Sequence, residues 1–591
     1  MKPFPWLLFF GSFLYLALFR LLMLAGWEEP SANLSLFLGV GFAYDLMIAA
    51  QFCLILGLVA RLAPRWVRAV GLGLWGFVAL FQYADYRYFI EFGTHLPFEG
   101  IYYLADQEFL KASLVQELAS KEFLLLGLLP LLLGLWGWGR QPQQALQPLA
   151  NPRLWGLWLV LALGAGSYAN SHVSDFHHPM QNNGFFYFLV RTPRLHTDVV
   201  QEPIPTEIKQ FLNLRLAQTG VAAKADFPLL HQPRRSDGQG SGPGVQALFR
   251  FVRETRPNVV MIVMESFKAA KLGALGSQAG LSPHFDALAQ QGVLFTRFFA
   301  NGYATMHGQA ALYLSLPERA ERPLFRNYGT NRFDSLFQAF AAQGYHTNWI
   351  HAGEGSFDNQ ANLVSRNGAQ TVVTNLDFNK TLQKLSWGYS DLALMDKANE
   401  VLTAEEQPFF AVILSLTNHH PYALPENYDP PLPQADKPDQ AFRFSDDALG
   451  SFFAQAERQP WFRNTLFLIT ADTGSRETST PLFGEQSGWI PLLAYWADAG
   501  PSERINAPGS QVDLAPSLVD LFQLPGEFSF YGKSLFLQDN TRYYSQSTRK
   551  GIELYKATQT PQGWQAAHLH HESRLQEVVI NHLYAKNRVK P

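Results

Sequence analysis

The apolar positions of this chain change character along its length. In the first 170 residues they form continuous runs, at about 4–26, 35–60, 69–88, 122–139 and 154–170. A membrane-spanning helix needs roughly 20 apolar residues. The first two runs exceed that length and the last two fall short of it. The expectation is a transmembrane region of about five helices over 1–170. Lys2 ahead of an apolar core has the look of a secretion signal, but no small-residue cleavage site follows, so the first run reads as an anchor.

Charges in the connecting segments set the orientation. Arg61, Arg65 and Arg68 lie between the second and third runs, and Arg140 and Arg153 between the fourth and fifth, with Lys2 at the N-terminus. Glu28 and Glu29 lie on the opposite side. The positive-inside rule then places the N-terminus in the cytoplasm, and five crossings put everything after residue 170 outside it. Arg20 and Asp45 fall inside the first two runs. A charge at that depth is costly unless paired, so an ion pair between adjacent helices is expected.

Residues 171–256 are mixed and read as a linker region. "YFLVRTPR" (187–194) predicts a short packed helix, and "HQPRRSDGQGSGPG" (231–244) a flexible loop. From residue 257 a different grammar begins. "NVVMIVMES" (258–266) is a β-branched apolar run of the kind buried on both faces of a sheet. A helix ending at Gly292, a helix–glycine–strand unit over 334–353, a strand over 409–422, and a helix then a strand over 445–474 follow, the last running into a sharp loop in "FLITADTGSRE" (467–477). This alternation predicts an α/β domain with a mostly parallel central sheet over 257–540, followed by a C-terminal tail over 541–591.

Composition narrows the classes. Only 16% of the 591 residues are charged against 47% hydrophobic, which fits a partly membrane-embedded chain. A net charge of −3 gives no basic surface for nucleic acid. The single cysteine, Cys53, lies in an apolar run, which excludes an internal disulfide or a cysteine metal cluster. Polar residues gather where the predicted strands end: Glu265, His351, Asn418, His419, His420 and Asp472. Ligand crevices of open α/β sheets lie at that edge, so these residues together predict a metal site. "HLHHES" (568–573) reads instead as a polar strand end or loop, since no carboxylate or cysteine framework surrounds it.

"NVVMIVMESF", "FFANGYATMHGQAALYLSLP", "GSFDN", "TNHHPY", "NTLFLITADTGS" and "SQVDLAPSLVDLF" occur in an order and spacing that resemble the lipoteichoic acid synthase family. These are membrane phosphoglycerol transferases of the sulfatase/alkaline phosphatase-like superfamily. "ADYRYFIEFGTHL" (84–96) is similar to the membrane part of Gram-negative members. The resemblance implies a threonine nucleophile, a covalent phosphoglycerol–threonine intermediate and a divalent metal, Mn, Mg or Zn. It implies Thr305 as nucleophile and metal ligand, Glu265 and Asp472 as metal carboxylates, and His419 with Glu354 and Asn418 at the substrate. The implied partners are a phospholipid such as phosphatidylglycerol and a hydroxyl acceptor on a glycan or lipid. The implied location is the inner membrane, multi-pass, with the C-terminal domain in the periplasm or extracellular space.

Two departures stand out. The family pattern Asp-His-Gly is Asp472-Thr473-Gly474 here, so a ligand histidine is replaced by a hydroxyl, a poor ligand for a transition metal. Glu354 stands where the resemblance leads one to expect aspartate. His307 and His420 are the candidate compensating ligands. Two readings stay open: a phosphoglycerol or related headgroup transferase, or phosphodiesterase, using Thr305; and a catalytically impaired relative that binds headgroups or partners an active paralogue. An aryl or glycan sulfatase, which needs Cys or Ser in a C/S-x-P-x-R setting, is set aside on the expectation that the one cysteine is in the membrane part and that the soluble half offers no Ser-x-Pro-x-Arg.

Overall fold

The computed structural model describes residues 4–25, 34–92, 123–140, 147–172, 229–236, 238, 240–318, 324, 333–474, 488–548, 551–569 and 576. The chain divides into two compact units, Met1–Asp198 and Val199–Pro591. The segments 187–194 and 93–96 of the sequence reading lie outside the described residues.

In the first unit each apolar run is a helix: α1 (Phe4–Ala25), α2 (Leu34–Leu62), α3 (Val67–Phe92), α4 (Leu129–Arg140, entered by a π-helical turn Phe123–Leu128) and α5 (Pro152–His172). Two stretches, Leu38–Leu62 and Pro64–Arg87, are long and apolar enough to cross a membrane; Phe9–Met23 and Phe123–Leu133 are shorter apolar helices. Large apolar side chains lie on the unit's exterior as well as in its core, and a few charged groups are buried among them. Leu14, Leu58, Leu125, Leu133, Val160 and Leu163 are exposed, whereas Arg20 and Asp45 are buried. The expected pair is present and bidentate: Arg20 Nε and Nη2 each donate to one Asp45 carboxylate oxygen at 2.8 Å. That fork geometry lets a buried charge pair offset part of its desolvation. Glycine permits close helix approach at Gly57, where a Cβ would stand 2.3 Å from the Trp155 indole nitrogen.

The second unit is built on a nine-stranded sheet in the order β4-β3-β5-β1-β6-β7-β2-β8, with β9 also pairing β2. The strands are β1 (Asn258–Met264), β2 (Val293–Phe299), β3 (His346–His351), β4 (Thr371–Val373), β5 (Phe409–Leu414), β6 (Thr465–Ala471), β7 (Trp489–Tyr495), β8 (Glu503–Ile505) and β9 (Gly509–Ser510). All run the same way except β7, which is antiparallel to both β6 and β2. β1, β5 and β6 are buried along nearly their whole length, as expected of a sheet covered on both faces. The covering helices include α6 (Pro243–Thr255), α7 (Pro283–Ala289), α8 (Thr305–Leu314), α9 (Leu336–Ala341), α10 (Gln360–Arg366), α11 (Asp391–Thr403), α12 (Lys437–Ala456) and α13 (Leu514–Leu521).

Two expectations change. Residues 243–255, inside the expected linker, are the amphipathic helix α6, whose Phe249 packs edge-on against Phe536. The expected tail contains a three-stranded antiparallel sheet, β10 (Thr541–Thr548), β11 (Gly551–Thr560) and β12 (Gly563–His568). Its strands bury Tyr544, Ile552 and Leu554, and tertiary contacts stabilise them where local pattern gives a weak signal. Tyr544 donates its hydroxyl to Ala300 O at 2.8 Å and stacks beside Phe299, tying this sheet to the end of β2.

Arg20→Ala leaves the Asp45 carboxylate buried without its partner and is expected to cost about 3–5 kcal/mol, read as lost thermal stability of the full chain in detergent. The double variant Arg20→Met/Asp45→Leu recovers most of that loss. Equal loss in the two variants contradicts the pairing account.

Candidate active site

Parallel register places the two key carboxylates side by side. Met264 pairs with Ala471 as the last step of the β1–β6 ladder, so Glu265 and Asp472 emerge together. Both are buried, Asp472 completely. Asp472 Oδ1 accepts backbone N–H groups from Ser266 at 2.7 Å and Thr473 at 2.6 Å. Its Oδ2 is buried with no hydrogen-bond partner. Burial, and then the charge of Asp472, holds the Glu265 carboxyl well above the usual carboxylate range. Two desolvated carboxylates at one strand edge, one with an orphaned oxygen, fit a cation.

Ser266, which the sequence reading left without a role, bridges the set. Its hydroxyl donates to Glu265 Oε1 at 2.9 Å and lies 3.4 Å from Thr473 Oγ1. Its φ of 48° is left-handed, a conformation a non-glycine residue adopts at a cost. Asn418 donates its side-chain amide to the carbonyls of Glu265 and Ser266, at 3.0 and 3.2 Å. It is therefore committed to holding this turn. Asp391 holds the loop that carries Asn418, accepting from Leu416 N, Thr417 N and Ser445 Oγ.

Thr305 reaches the same edge from β2. It is the first residue of α8, and its hydroxyl donates to Glu265 Oε2 at 3.3 Å. The N-terminus of a helix favours an approaching anion. The loop before it is anchored by Asn301, which donates its N–H to Gln511 Oε1 and accepts from Val512 N. Gln511 Nε2 donates in turn to the carbonyls of Ala471 and Asp472. One amide side chain thus links the nucleophile loop to the carboxylate strand. α8 also packs directly on that strand, since a Cβ on Gly308 would stand 2.0 Å from Asp472 O.

The remaining candidates divide. His419 is half-buried; its Nδ1 donates to His420 O at 2.8 Å, and its ring meets Trp387 at 4.4 Å. Glu354 is exposed and engages the Ser356 hydroxyl beside it. His420 is exposed and meets the Tyr422 ring. His307 lies two residues past Thr305 on α8, about 200° around the helix. Its ring meets Tyr303 edge-on and its Nε2 lies 3.9 Å from buried Glu318. His307 is thus placed between Tyr303 and Glu318. His351 is buried with Nδ1 donating to Leu414 O at 2.9 Å, and burial lowers its pKa to about 4.

A second acidic group, His284 with Asp446 and Asp447, already has its oxygens taken up. Asp447 accepts from Arg443 and Tyr428, and Asp446 from the N–H groups of His284 and Phe285, so this cluster reads as structural. The expectation that the soluble half holds no Ser-x-Pro-x-Arg is incorrect, since "SLPER" at 315–319 is such a run. Its Ser315 caps the far end of α8 from Thr305, fully buried, with Oγ donating to Val512 O and accepting from Gly532 N. It is a structural hydroxyl away from the carboxylate edge.

The fold and the site define a class: an α/β domain of the alkaline phosphatase kind, with a threonine hydroxyl beside paired acids. A sequence profile of the sulfatase family matches residues 257–524. A lipoteichoic acid synthase-like protein of Bacillus subtilis (YvgJ) is 21% identical over 48% of this chain and 51% of its own length. An ulvan-active sulfatase of Formosa agariphila is 25% identical over 45% of this chain and 62% of its own. The chain thus spans about half the length of the curated relatives it matches. An alkaline phosphatase superfamily protein of Vibrio parahaemolyticus shares the fold, with a TM-score of 0.53 at 22% identity, over 66% of this chain and 98% of that one. Residues 257–524 thus carry a sulfatase-type domain, and the chain is similar to lipoteichoic acid synthase-like proteins.

Two outcomes follow from this geometry. Gly308→Ala forces the Asp472 backbone to move and is expected to lower stability by about 1–3 kcal/mol by thermal denaturation. For His351, the folded-state pKa near 4 lies below the unfolded value, so the unfolded chain binds more protons between them. Stability conferred by neutral His351 is present above about pH 6.5 and is lost as pH falls toward 4. His351→Gln flattens that slope; an unchanged slope contradicts the assignment.

Proposed function

We propose that the chain is a multi-pass inner-membrane protein with its second unit outside the cytoplasm, and that this unit transfers phosphoglycerol or a related headgroup from a phospholipid. The observation that carries the reading is the Thr305 hydroxyl, held at a helix N-terminus against a buried carboxylate pair. Thr305 Oγ1 forms the new bond to phosphorus as the bond to the diacylglycerol oxygen breaks, and a hydroxyl acceptor or water then takes the phosphoglycerol. Glu265 Oε2 orients the nucleophile through its hydrogen bond. Ser266 and Asn418 hold Glu265 in place. His419, by resemblance, contacts the phosphate.

Glu265, Asp472 and Thr305 are the residues that would hold a divalent cation, with Thr473 offering a hydroxyl where relatives have histidine. When bound, such an ion lowers the nucleophile's pKa and neutralises phosphoryl charge. An all-oxygen donor set favours a hard ion such as Mg²⁺ or Mn²⁺ relative to Zn²⁺. The five-helix membrane region is supported by the apolar exterior and buried ion pair of the first unit. Thr473 favours the second reading, a relative that binds headgroups without turning them over.

The full chain incubated with phosphatidylglycerol and Mn²⁺ is expected to gain one phosphoglycerol mass on Thr305, lost in Thr305→Ala. Headgroup binding without any adduct, across Mg²⁺, Mn²⁺ and Zn²⁺, supports the binding-only reading instead.

A further inference from the structure

Among the described residues of the second unit, two large apolar side chains are exposed: Leu376 at 80% and Leu382 at 44%. Both lie in one loop, residues 374–388, which leaves β4 at the carboxyl edge of the sheet. Isolated exposed leucines are ordinary on protein surfaces. These two differ in how firmly their loop is held and in what it adjoins. Thr374 and Asp377 close a capping box around the turn that presents Leu376. Asn375 N and Tyr389 N donate to Gly353 O and Ala352 O, just past His351. Gln383 accepts from Glu426 N on the histidine-bearing loop. Trp387 donates to His420 O and stacks edge-on to His419 at 4.4 Å. Lys380 and Lys384 are exposed on the same segment. An ordered turn that points leucines at solvent, with Lys380 between them, Lys384 just after and an aromatic side chain behind, has the composition of an interfacial anchor.

We propose that the 374–388 loop docks on an anionic phospholipid surface, inserting Leu376 and Leu382 among the acyl chains while Lys380 and Lys384 meet the headgroup phosphates. The occupant follows from charge complementarity between two lysines and anionic lipid, and from the loop's attachment to the His419 side of the site. A lipid-borne headgroup then meets the catalytic edge without leaving the membrane. This deepens the headgroup-transfer reading and rests on it for the substrate.

The test uses the full chain in vesicles with Cys53, the only cysteine, replaced by alanine. An environment-sensitive dye is placed on Leu376→Cys, Leu382→Cys or, as a control at the opposite sheet edge, Glu406→Cys. In phosphatidylcholine vesicles containing phosphatidylglycerol and doxyl-labelled lipid, quenching at 376 and 382 is expected to exceed that at 406 by about threefold or more. It falls toward the control without phosphatidylglycerol or in Lys380→Glu/Lys384→Glu. Quenching no greater than at 406 overturns the proposal. So does shielding of the dye from aqueous iodide without doxyl quenching, which marks a protein partner. Leu376→Ser/Leu382→Ser is expected to raise KM for vesicle-borne donor about tenfold while leaving a soluble short-chain donor unaffected. Equal loss on both donors means a structural loop and overturns the proposal. Failure of the headgroup reading itself shows differently, as no Thr305 adduct from either donor with the quenching intact.

Discussion

The structure of the site depends on one register, the parallel pairing of β1 with β6. Because Met264 aligns with Ala471, Glu265 and Asp472 leave the sheet at the same level and enter a space with almost no water. Two carboxylates so placed repel each other, and burial amplifies the repulsion. The fold tolerates this through a surrounding set of donors: two backbone N–H groups on Asp472, and hydroxyls from Ser266 and Thr305 on Glu265. None of these carries a full positive charge. The pair's repulsion and burial hold the Glu265 carboxyl well above the usual carboxylate range, and Asp472 Oδ2 is buried without a hydrogen-bond partner.

The nucleophile reaches this pair from a distant strand, and its placement is correspondingly elaborate. β2 is separated from β6 by β7, so the chain must cross back over the sheet edge before α8 begins. Ala300 N bonds Gly488 O at the start of β7, Asn301 bonds Gln511 and Val512, and β10 bonds Asn301 and Ala300. Each contact fixes one step of that crossing. These uncharged contacts together fix where the Thr305 hydroxyl stands relative to Glu265.

Much of this was legible in the sequence where a local signal coincided with a physical necessity. Buried β-branched runs gave the central strands, and the polar residue after each run gave Glu265, His351, Asn418 and Asp472. Arg20 and Asp45 were legible as a pair because a lone charge among apolar helices has so few alternatives. Roles that depend on distant chain segments were not legible. Asn418 looks like a substrate residue beside two histidines, yet its amide serves the backbone of Glu265 and Ser266. Gln511 and Asn301 meet across more than 200 residues, and the positive φ of Ser266 leaves no mark in residue type. The β10–β12 sheet alternates polar and small residues too weakly to stand apart from a tail.

The central claim is that Glu265 and Asp472 form a cation site despite Thr473. The most direct measurement is equilibrium dialysis of the full-length protein against Mn²⁺, beside Asp472→Asn and Thr473→His, with bound metal counted by elemental analysis. The account predicts about one Mn²⁺ per chain in the unaltered protein, a severe loss in Asp472→Asn, and tighter binding in Thr473→His. Metal absent from the unaltered protein, or retained unchanged in Asp472→Asn, would contradict it.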